Sequence, residues 1–418
     1  MNSLAPHWPR APLLLCASSS RTGPVEGLIS LGAILRAEGI DARFAGDRVR
    51  EGEDLAGHLE RAGLPWAPGL ALSRKVRAGD LLHDVRTLTS WVRSGAPDLI
   101  HAAFAHDYLL ALTATRRAGP ARENLRLVRE AHRRVDVEPG RFGLRTRLLK
   151  MADGVIVHAE NYRRVLLEQG LDPRRVASIP GSVDAQLFTP GRTNAAFALR
   201  RSWGVPDGAP LVGIVARMKR ERLHVNLLAA FWAALAYVPD AHLVLIGRGE
   251  EEERLRDWAD KRICGERIHF GGYQRGSALV EAYRALDVGV WLREGNDGAC
   301  RGVLEAMACG LPMIVGDQGA PPELVAPAGE PACGRVVDPR LLDPVETTPG
   351  TLKPGGLAHA LAELLGVESL RAAMGAASRN RAAGFTPQKA ASATLGFWRE
   401  LRALPPVERA DGRGSSVL

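Results

Sequence analysis

Asp297 and Glu305 stand eight residues apart in the string Asn296-Asp-Gly-Ala-Cys-Arg-Gly-Val-Leu-Glu-Ala-Met-Ala-Cys-Gly310. The string follows an apolar strand over 288–292 and opens a helix. The first N–H groups of a helix have no partner within it, and the helix dipole favours negative charge there, so the pattern predicts an anion site. Asp297 precedes the first turn, and Glu305 lies one to two turns in, within reach of a group beside the docked anion. Read without their surroundings, the two residues are an N-cap and a surface acid.

The rest of the composition narrows the chemistry. The chain has 418 residues, a net charge of +8, 46% apolar and 24% charged residues, as in ordinary globular proteins. Its longest strongly apolar, charge-free run, 227–238, is too short to span a bilayer. Residues 11–17 read as a first buried strand and not as a signal peptide. Five cysteines without a C-x-x-C pair predict neither a disulfide framework nor a zinc site, and a reducing, cytoplasmic setting fits them. Gly247-Arg-Gly249 is half of a dinucleotide fingerprint, but the acidic Glu250–Glu253 run that follows would repel a pyrophosphate, which argues against NAD. Between Arg116 and Lys150, 11 Lys and Arg face four acids, so this region holds +7 of the net +8. Such a region suits an anionic membrane face or an acidic glycan, and 141–150 is the stretch that would lie on a membrane. Nucleic acid is disfavoured, because Phe142 is the one aromatic residue there available for stacking on bases.

Positioning these residues requires a scaffold. Short apolar runs at 13–16, 98–101, 125–128, 155–157, 211–215, 243–246, 288–292 and 313–315 alternate with helical patterns, which predicts βαβ units and parallel sheets. Leu28, Leu31, Ile34 and Leu35 mark the inner face of the first helix, which Gly39 ends. Pro and Gly cluster at 190–207. The expected organisation is an α/β domain over 1–190, a linker over 191–206, a second α/β domain over 207–385, a helix over 386–404 packed back on the first domain, and a loose tail over 405–418. Ligands of such open sheets bind at the carboxyl ends of the strands, here expected to face a cleft between the domains.

In this frame the 297–305 string resembles the acidic-residue, seven-spacer, Glu signature of the retaining glycosyltransferases of group 1 (family 4), whose fold is GT-B. The resemblance extends to Gly213-Ile-Val-Ala-Arg217-Met with Arg222 beyond it, to Pro239-Asp-Ala-His-Leu-Val-Leu-Ile-Gly247-Arg-Gly249, to Ile268-His-Phe-Gly-Gly272-Tyr and to Gly319-Ala-Pro-Pro-Glu323. In the N-terminal half it rests on Gly23, on Leu127-Val-Arg-Glu-Ala-His132 and on Pro180-Gly-Ser-Val-Asp184. The chain departs from the pattern in carrying Asp297 where most members have Glu, and Arg222 where many have Lys. Both substitutions keep the charge, and arginine can grip a diphosphate with two donors.

The resemblance implies two Rossmann-like α/β domains and transfer of a sugar, with retention of configuration, from a nucleoside diphosphate to a glycan or lipid-linked acceptor of the cell envelope. As the glycosidic bond breaks, charge collects on the diphosphate, and Arg217 and Arg222 would stabilise it. Asp297 and the N–H groups of Gly298 and Ala299 would meet the donor sugar, Glu305 the ribose, His132 a sugar hydroxyl, and Tyr273 the base. Gly23 would let the main chain approach the phosphate or sugar. Two arginines and a helix N-terminus leave no task for Mg²⁺, so neither a metal nor any cofactor beyond the nucleotide sugar is expected. Two other readings stand beside this one: a sugar-nucleotide-binding protein without transfer activity, and a GT-B epimerase acting on the donor alone.

Overall fold

The computed structural model describes residues 8–18, 23–47, 55–72, 77–262, 264–293, 298–338 and 355–407. Asp297, Asn296 and positions 408–418 of the expected tail lie outside the described residues.

Among the described residues, twelve strands form two six-stranded parallel sheets. The first holds β1 (Pro12–Cys16), β2 (Arg43–Gly46), β3 (Leu99–Ala102), β4 (Arg126–Ala131), β5 (Gly154–Val157) and β6 (Val176–Ser178), in the order β2-β1-β3-β4-β5-β6. The second holds β7 (Leu211–Val215), β8 (His242–Ile246), β9 (Ile268–Gly272), β10 (Val288–Trp291), β11 (Met313–Gly316) and β12 (Gly334–Val337), in the order β12-β11-β10-β7-β8-β9. Each of the eight apolar runs seen in the sequence is a strand. The inner strands are buried along almost their whole length, as continuous apolar runs require when helices cover both faces of a sheet. The edge strands β2, β6 and β12 carry shorter or mixed patterns and escaped notice.

The chain order reverses between β1 and β3 in the first sheet and between β7 and β10 in the second. At such a switch point the loops leaving the two strands diverge and open a crevice at the carboxyl ends. In the second sheet these loops are the one carrying Arg217 and Arg222 and the one carrying Gly298 and Ala299.

The chain divides into two compact units, one made of 1–181, 296–299 and 387–418, the other of 182–295 and 300–386. The boundary therefore falls at Gly181, ahead of the expected 190. Phe188 packs edge-on against Tyr283 at 6.0 Å, and Arg379 donates to the carbonyls of Ala185 and Phe188, so 182–190 belongs to the second unit. The expected linker, 191–206, contains a helix. Asn194–Ser202 is a helix, capped by the Thr193 hydroxyl accepting from Ala196 N–H at 3.1 Å. Its Arg200 is fully buried and donates to the carbonyls of Ala285 and Ala209 and to Asp287. These bonds from its two terminal nitrogens, one of them to a carboxylate, compensate the buried charge and tie the helix to the second sheet.

The C-terminal helix Pro387–Ala403 packs on the first unit, placing Leu395, Phe397, Trp398 and Leu401 in one core with Leu14, Val25, Phe44 and Ile156. A Cβ on Gly154 would stand 2.3 Å from the Leu401 side chain, so a glycine in β5 lets the helix seat on the sheet.

Candidate functional site

In the second unit the loop after β7 is fixed by main-chain bonds on both sides of Arg217. Ala216 N–H donates to Ile246 at 3.0 Å and Met218 N–H to Arg248 at 3.1 Å. That approach demands glycine: a Cβ on Gly247, which has φ +143°, would lie 2.0 Å from the Ala216 carbonyl oxygen, and one on Gly249 would lie 2.2 Å from that of Met218. The Gly-Arg-Gly string, judged unfit for a dinucleotide, thus backs the loop that presents Arg217. Arg217 is exposed and its guanidinium has no ion pair among the described residues.

Arg222 joins the two switch-point loops. Its Nη1 donates to the Arg293 carbonyl at 3.0 Å, and its guanidinium lies over the Trp291 ring at 4.8 Å. A planar cation stacked on an aromatic face keeps its fork oriented. Leu223, next in sequence, has φ +60°, and Cys300 has φ +49°. These two residues precede the helices His224–Ala234 and Arg301–Ala308, so both helices that start at the switch point begin from left-handed backbone on a side chain that resists it.

Glu305 is not the surface acid its isolated reading suggests. It is 6% exposed, Tyr283 donates to its Oε2 at 3.1 Å, and Arg301, one turn earlier, donates Nε to its Oε1 at 2.8 Å. A carboxylate has about four lone-pair positions, and these two donors fix how its plane is turned. Burial, followed by the adjacent Glu305 charge, pushes the Tyr283 hydroxyl well above its ordinary range, so it stays a donor. Neither Tyr283 nor Arg301 was legible in the sequence as part of this site. The i, i+4 spacing of Arg301 and Glu305 was the available signal for the second. Tyr273 is exposed just past β9, its ring under the Arg248 guanidinium at 4.6 Å.

In the first unit, Gly23 begins the helix Gly23–Ala37. His132 follows β4 and is 2% exposed. Its ring stacks on His158, which follows β5, with His132 Nδ1 3.1 Å from His158 Nε2. Glu130, two residues before His132 on the same strand face, reaches His101 Nε2 at 2.9 Å and His158 Nε2 at 3.0 Å. Burial would raise the Glu130 carboxyl, but the imidazoles of His132, His101 and His158 outweigh it and hold it well below its usual range. Burial lowers His132 to about 3 against the opposing Glu130 charge. Glu130, His132 and His158 are also the group among the described residues whose ligating atoms, all within 4.8 Å of one another, could hold a metal ion, a possibility the sequence reading passed over. The Gly298 main chain lies directly against this cluster, since a Cβ there would be 1.9 Å from the His132 carbonyl oxygen, and Gly181 packs as closely on Ala299. Side chains larger than hydrogen are excluded at 181 and 298.

The basic region is partly internal. Arg126 and Arg129 are buried; Arg126 donates to the Leu401 and Leu404 carbonyls, and Arg129 to those of Ala103 and Glu130. These two of the eleven basic residues secure the sheet and face no partner. Arg141, Arg145, Arg147 and Lys150 lie on or beside the short helix Leu144–Leu149 and the turn before it, where Phe142 is 83% and Leu144 58% exposed.

Two parallel sheets carrying loop-borne arginines and a helix N-terminus at a topological switch point define a two-domain α/β protein of the GT-B fold. In agreement, 93% of the chain superposes on 99% of Anabaena HepE in complex with UDP and glucose, with TM-score 0.70 and 18% identity, a likeness of fold. The model "Glycosyltransferase Family 4" matches residues 26–187 and "Glycosyl transferases group 1" matches residues 196–346. The chain belongs to the group 1 glycosyltransferases. It is similar to a GDP-mannose-dependent alpha-mannosyltransferase of Mycobacterium tuberculosis (strain CDC 1551 / Oshkosh), 35% identical over 180 residues, 43% of each chain. It is similar also to a D-inositol 3-phosphate glycosyltransferase of Corynebacterium jeikeium (strain K411), 29% identical over 265 residues, 61% of this chain and 58% of that one. The matches span about half the length of these two relatives.

Proposed function

We propose that this protein is a retaining glycosyltransferase that moves a sugar from a nucleoside diphosphate to a cell-envelope glycan or lipid-linked acceptor without a metal ion. The observation that carries the reading is Glu305, a buried carboxylate oriented by Tyr283 and Arg301 on the helix that starts at the switch point, with Arg217 and Arg222 on the neighbouring loop. On this reading Glu305 accepts from the ribose hydroxyls, the arginines meet the diphosphate, and Asp297, Gly298 and Ala299 meet the sugar. Tyr273 contacts the base, Gly23 gives main-chain access in the first unit, and His132 offers a donor to a sugar hydroxyl. Retention follows from departure of the phosphate on the face the acceptor enters, the phosphate oxygen taking the acceptor proton. The mannosyltransferase relative makes GDP-mannose the first donor to try.

Calorimetric titration with GDP, UDP, ADP and dTDP, without added metal, tests the donor site. One nucleotide binds, and Glu305→Gln weakens it by about 1.5–3 kcal/mol, roughly 10- to 150-fold, the cost of losing hydrogen bonds to a charged group. The amide still accepts from Tyr283, so the helix stays in place. Unchanged affinity would remove Glu305 from the ribose, and no binding of any of the four would remove the donor site.

The exposed Phe142 and Leu144, ringed by Arg141, Arg145, Arg147 and Lys150, support peripheral contact with an anionic membrane from the cytoplasmic side. No helix among the described residues is long and apolar enough to cross a membrane. Each cation near an anionic surface contributes about 1 kcal/mol, so reversing Arg145 and Arg147 to Glu should weaken sedimentation with phosphatidylglycerol vesicles at least about tenfold. Equal sedimentation of wild type with pure phosphatidylcholine vesicles would refute the electrostatic contact.

A further inference from the structure

We propose that His158, held by Glu130 and the Ile179 carbonyl, is a positioning residue that locks His132 into the tautomer with its proton on Nε2. The proposal rests on the reading of His132 as a donor to a ligand hydroxyl and says what makes it one.

The protons follow from the acceptors. His158 Nδ1 lies 2.9 Å from the Ile179 carbonyl oxygen, which can only accept, so Nδ1 carries a proton. His158 Nε2 lies 3.0 Å from a Glu130 oxygen. Each Glu130 oxygen faces a histidine Nε2, the arrangement of a carboxylate that accepts from both, so His158 Nε2 carries a proton too and His158 is an imidazolium. The other Glu130 oxygen accepts from His101 Nε2 at 2.9 Å, which orients the carboxylate. His158 Nε2–H, shared with Glu130, also points at His132 Nδ1 at 3.1 Å. A proton on His132 Nδ1 would meet it head-on, so Nδ1 accepts. With Nδ1 accepting, the ring proton of His132 is on Nε2.

That Nε2–H is buried and has no partner among the described residues, the nearest Glu130 oxygen being 4.0 Å away. A buried donor left unsatisfied is a cost to the fold that a ligand oxygen would relieve. Phe104 closes the other side of the ring at 5.6 Å. The same three side chains could instead share a metal ion, but 3.0 and 3.1 Å are hydrogen-bond lengths, shorter than the separation of two ligands each about 2.0–2.1 Å from one tetrahedral cation.

Long-range ¹H–¹⁵N spectra of the full chain labelled in its histidine rings decide the matter at pH 7.5. The expected result is His132 as the neutral Nε2–H tautomer and His158 with both nitrogens protonated. A His132 proton on Nδ1, a neutral His158, or one equivalent of zinc found by elemental analysis and lost in His158→Phe would overturn the proposal. In His158→Phe the His132 resonances move to a mixture of tautomers, and in His158→Gln, whose amide N–H can replace the imidazolium donor, they return. With the donor that calorimetry selects, His158→Phe lowers kcat by about tenfold or more while the dissociation constant stays within about twofold, and His158→Gln recovers part of the loss. The spectra of the unliganded wild type stand whether or not any nucleotide binds, so failure of the tautomer lock and failure of the donor reading are separate results.

Discussion

Alanine at Arg217 or at Arg222 should lower turnover by about 10²- to 10³-fold, or roughly 2.7–4 kcal/mol of transition-state stabilisation, while nucleotide affinity falls by much less. The asymmetry comes from where charge moves. A bound nucleotide sugar shares its negative charge with a glycosidic oxygen, and only as that bond breaks does the terminal phosphate take up another unit. A fixed guanidinium gains most at that moment. The two positions differ in what else they do. Arg217 projects from a loop pinned by main-chain bonds and has no ion pair among the described residues, so its removal leaves the fold intact and reads the electrostatic effect cleanly. Arg222 also covers Trp291 and donates to the Arg293 carbonyl, so alanine there loosens both switch-point loops, and Arg222→Lys separates charge from the planar fork. Steady-state kinetics beside calorimetry on each variant would check this. Equal losses in turnover and in nucleotide affinity would place the arginines in ground-state binding.

Acid should destabilise both units well before their carboxylates titrate in general. His132, in the first unit, is lowered by burial to about 3, and His224, in the second, is lowered by burial and then by Arg222 to about 4, from an ordinary 6.5. Between those values the unfolded chain binds a proton that the folded chain refuses, so stability is fully present above about 6.5 and is lost as pH falls. At pH 5 each histidine costs about 2 kcal/mol relative to pH 8. That would lower the melting midpoint of a unit of this size by roughly 4–8 °C. Glu130, held well below its usual range, pushes the same way below its unfolded value of 4.5. Thermal melts from pH 8 to pH 5 would show the slope. His224→Phe should flatten it for the second unit alone, at the cost of the imidazole's hydrogen bond with the Lys219 main chain at every pH. A midpoint constant over this range would mean that these histidines are solvated.

What the sequence determined by itself is the part written in period and order. Apolar runs such as 211–215 and 243–246 must be buried strands because nothing else hides such runs between amphipathic helices, and their alternation with helices dictates parallel sheets. The family motifs likewise sit at strand ends by sequence order alone. The edge strands β2, β6 and β12 were hidden because an edge needs one apolar face at most. The unit boundary at Gly181 and the helix 194–202 were hidden for another reason. Pro and Gly mark where a chain turns, whereas the owner of 182–202 is set by contacts such as those of Arg200 and Phe188, to residues about 85–95 positions away. The same distance argument divides the site. Arg217, Arg222 and Glu305 were legible because each lies within a few residues of a strand or helix end. Tyr283 beneath Glu305, Trp291 beneath Arg222 and the ring of His101, Glu130 and His158 around His132 became visible only when neighbouring strands aligned in register. A side chain's protonation state depends on what the fold brings beside it, and that is decided in three dimensions.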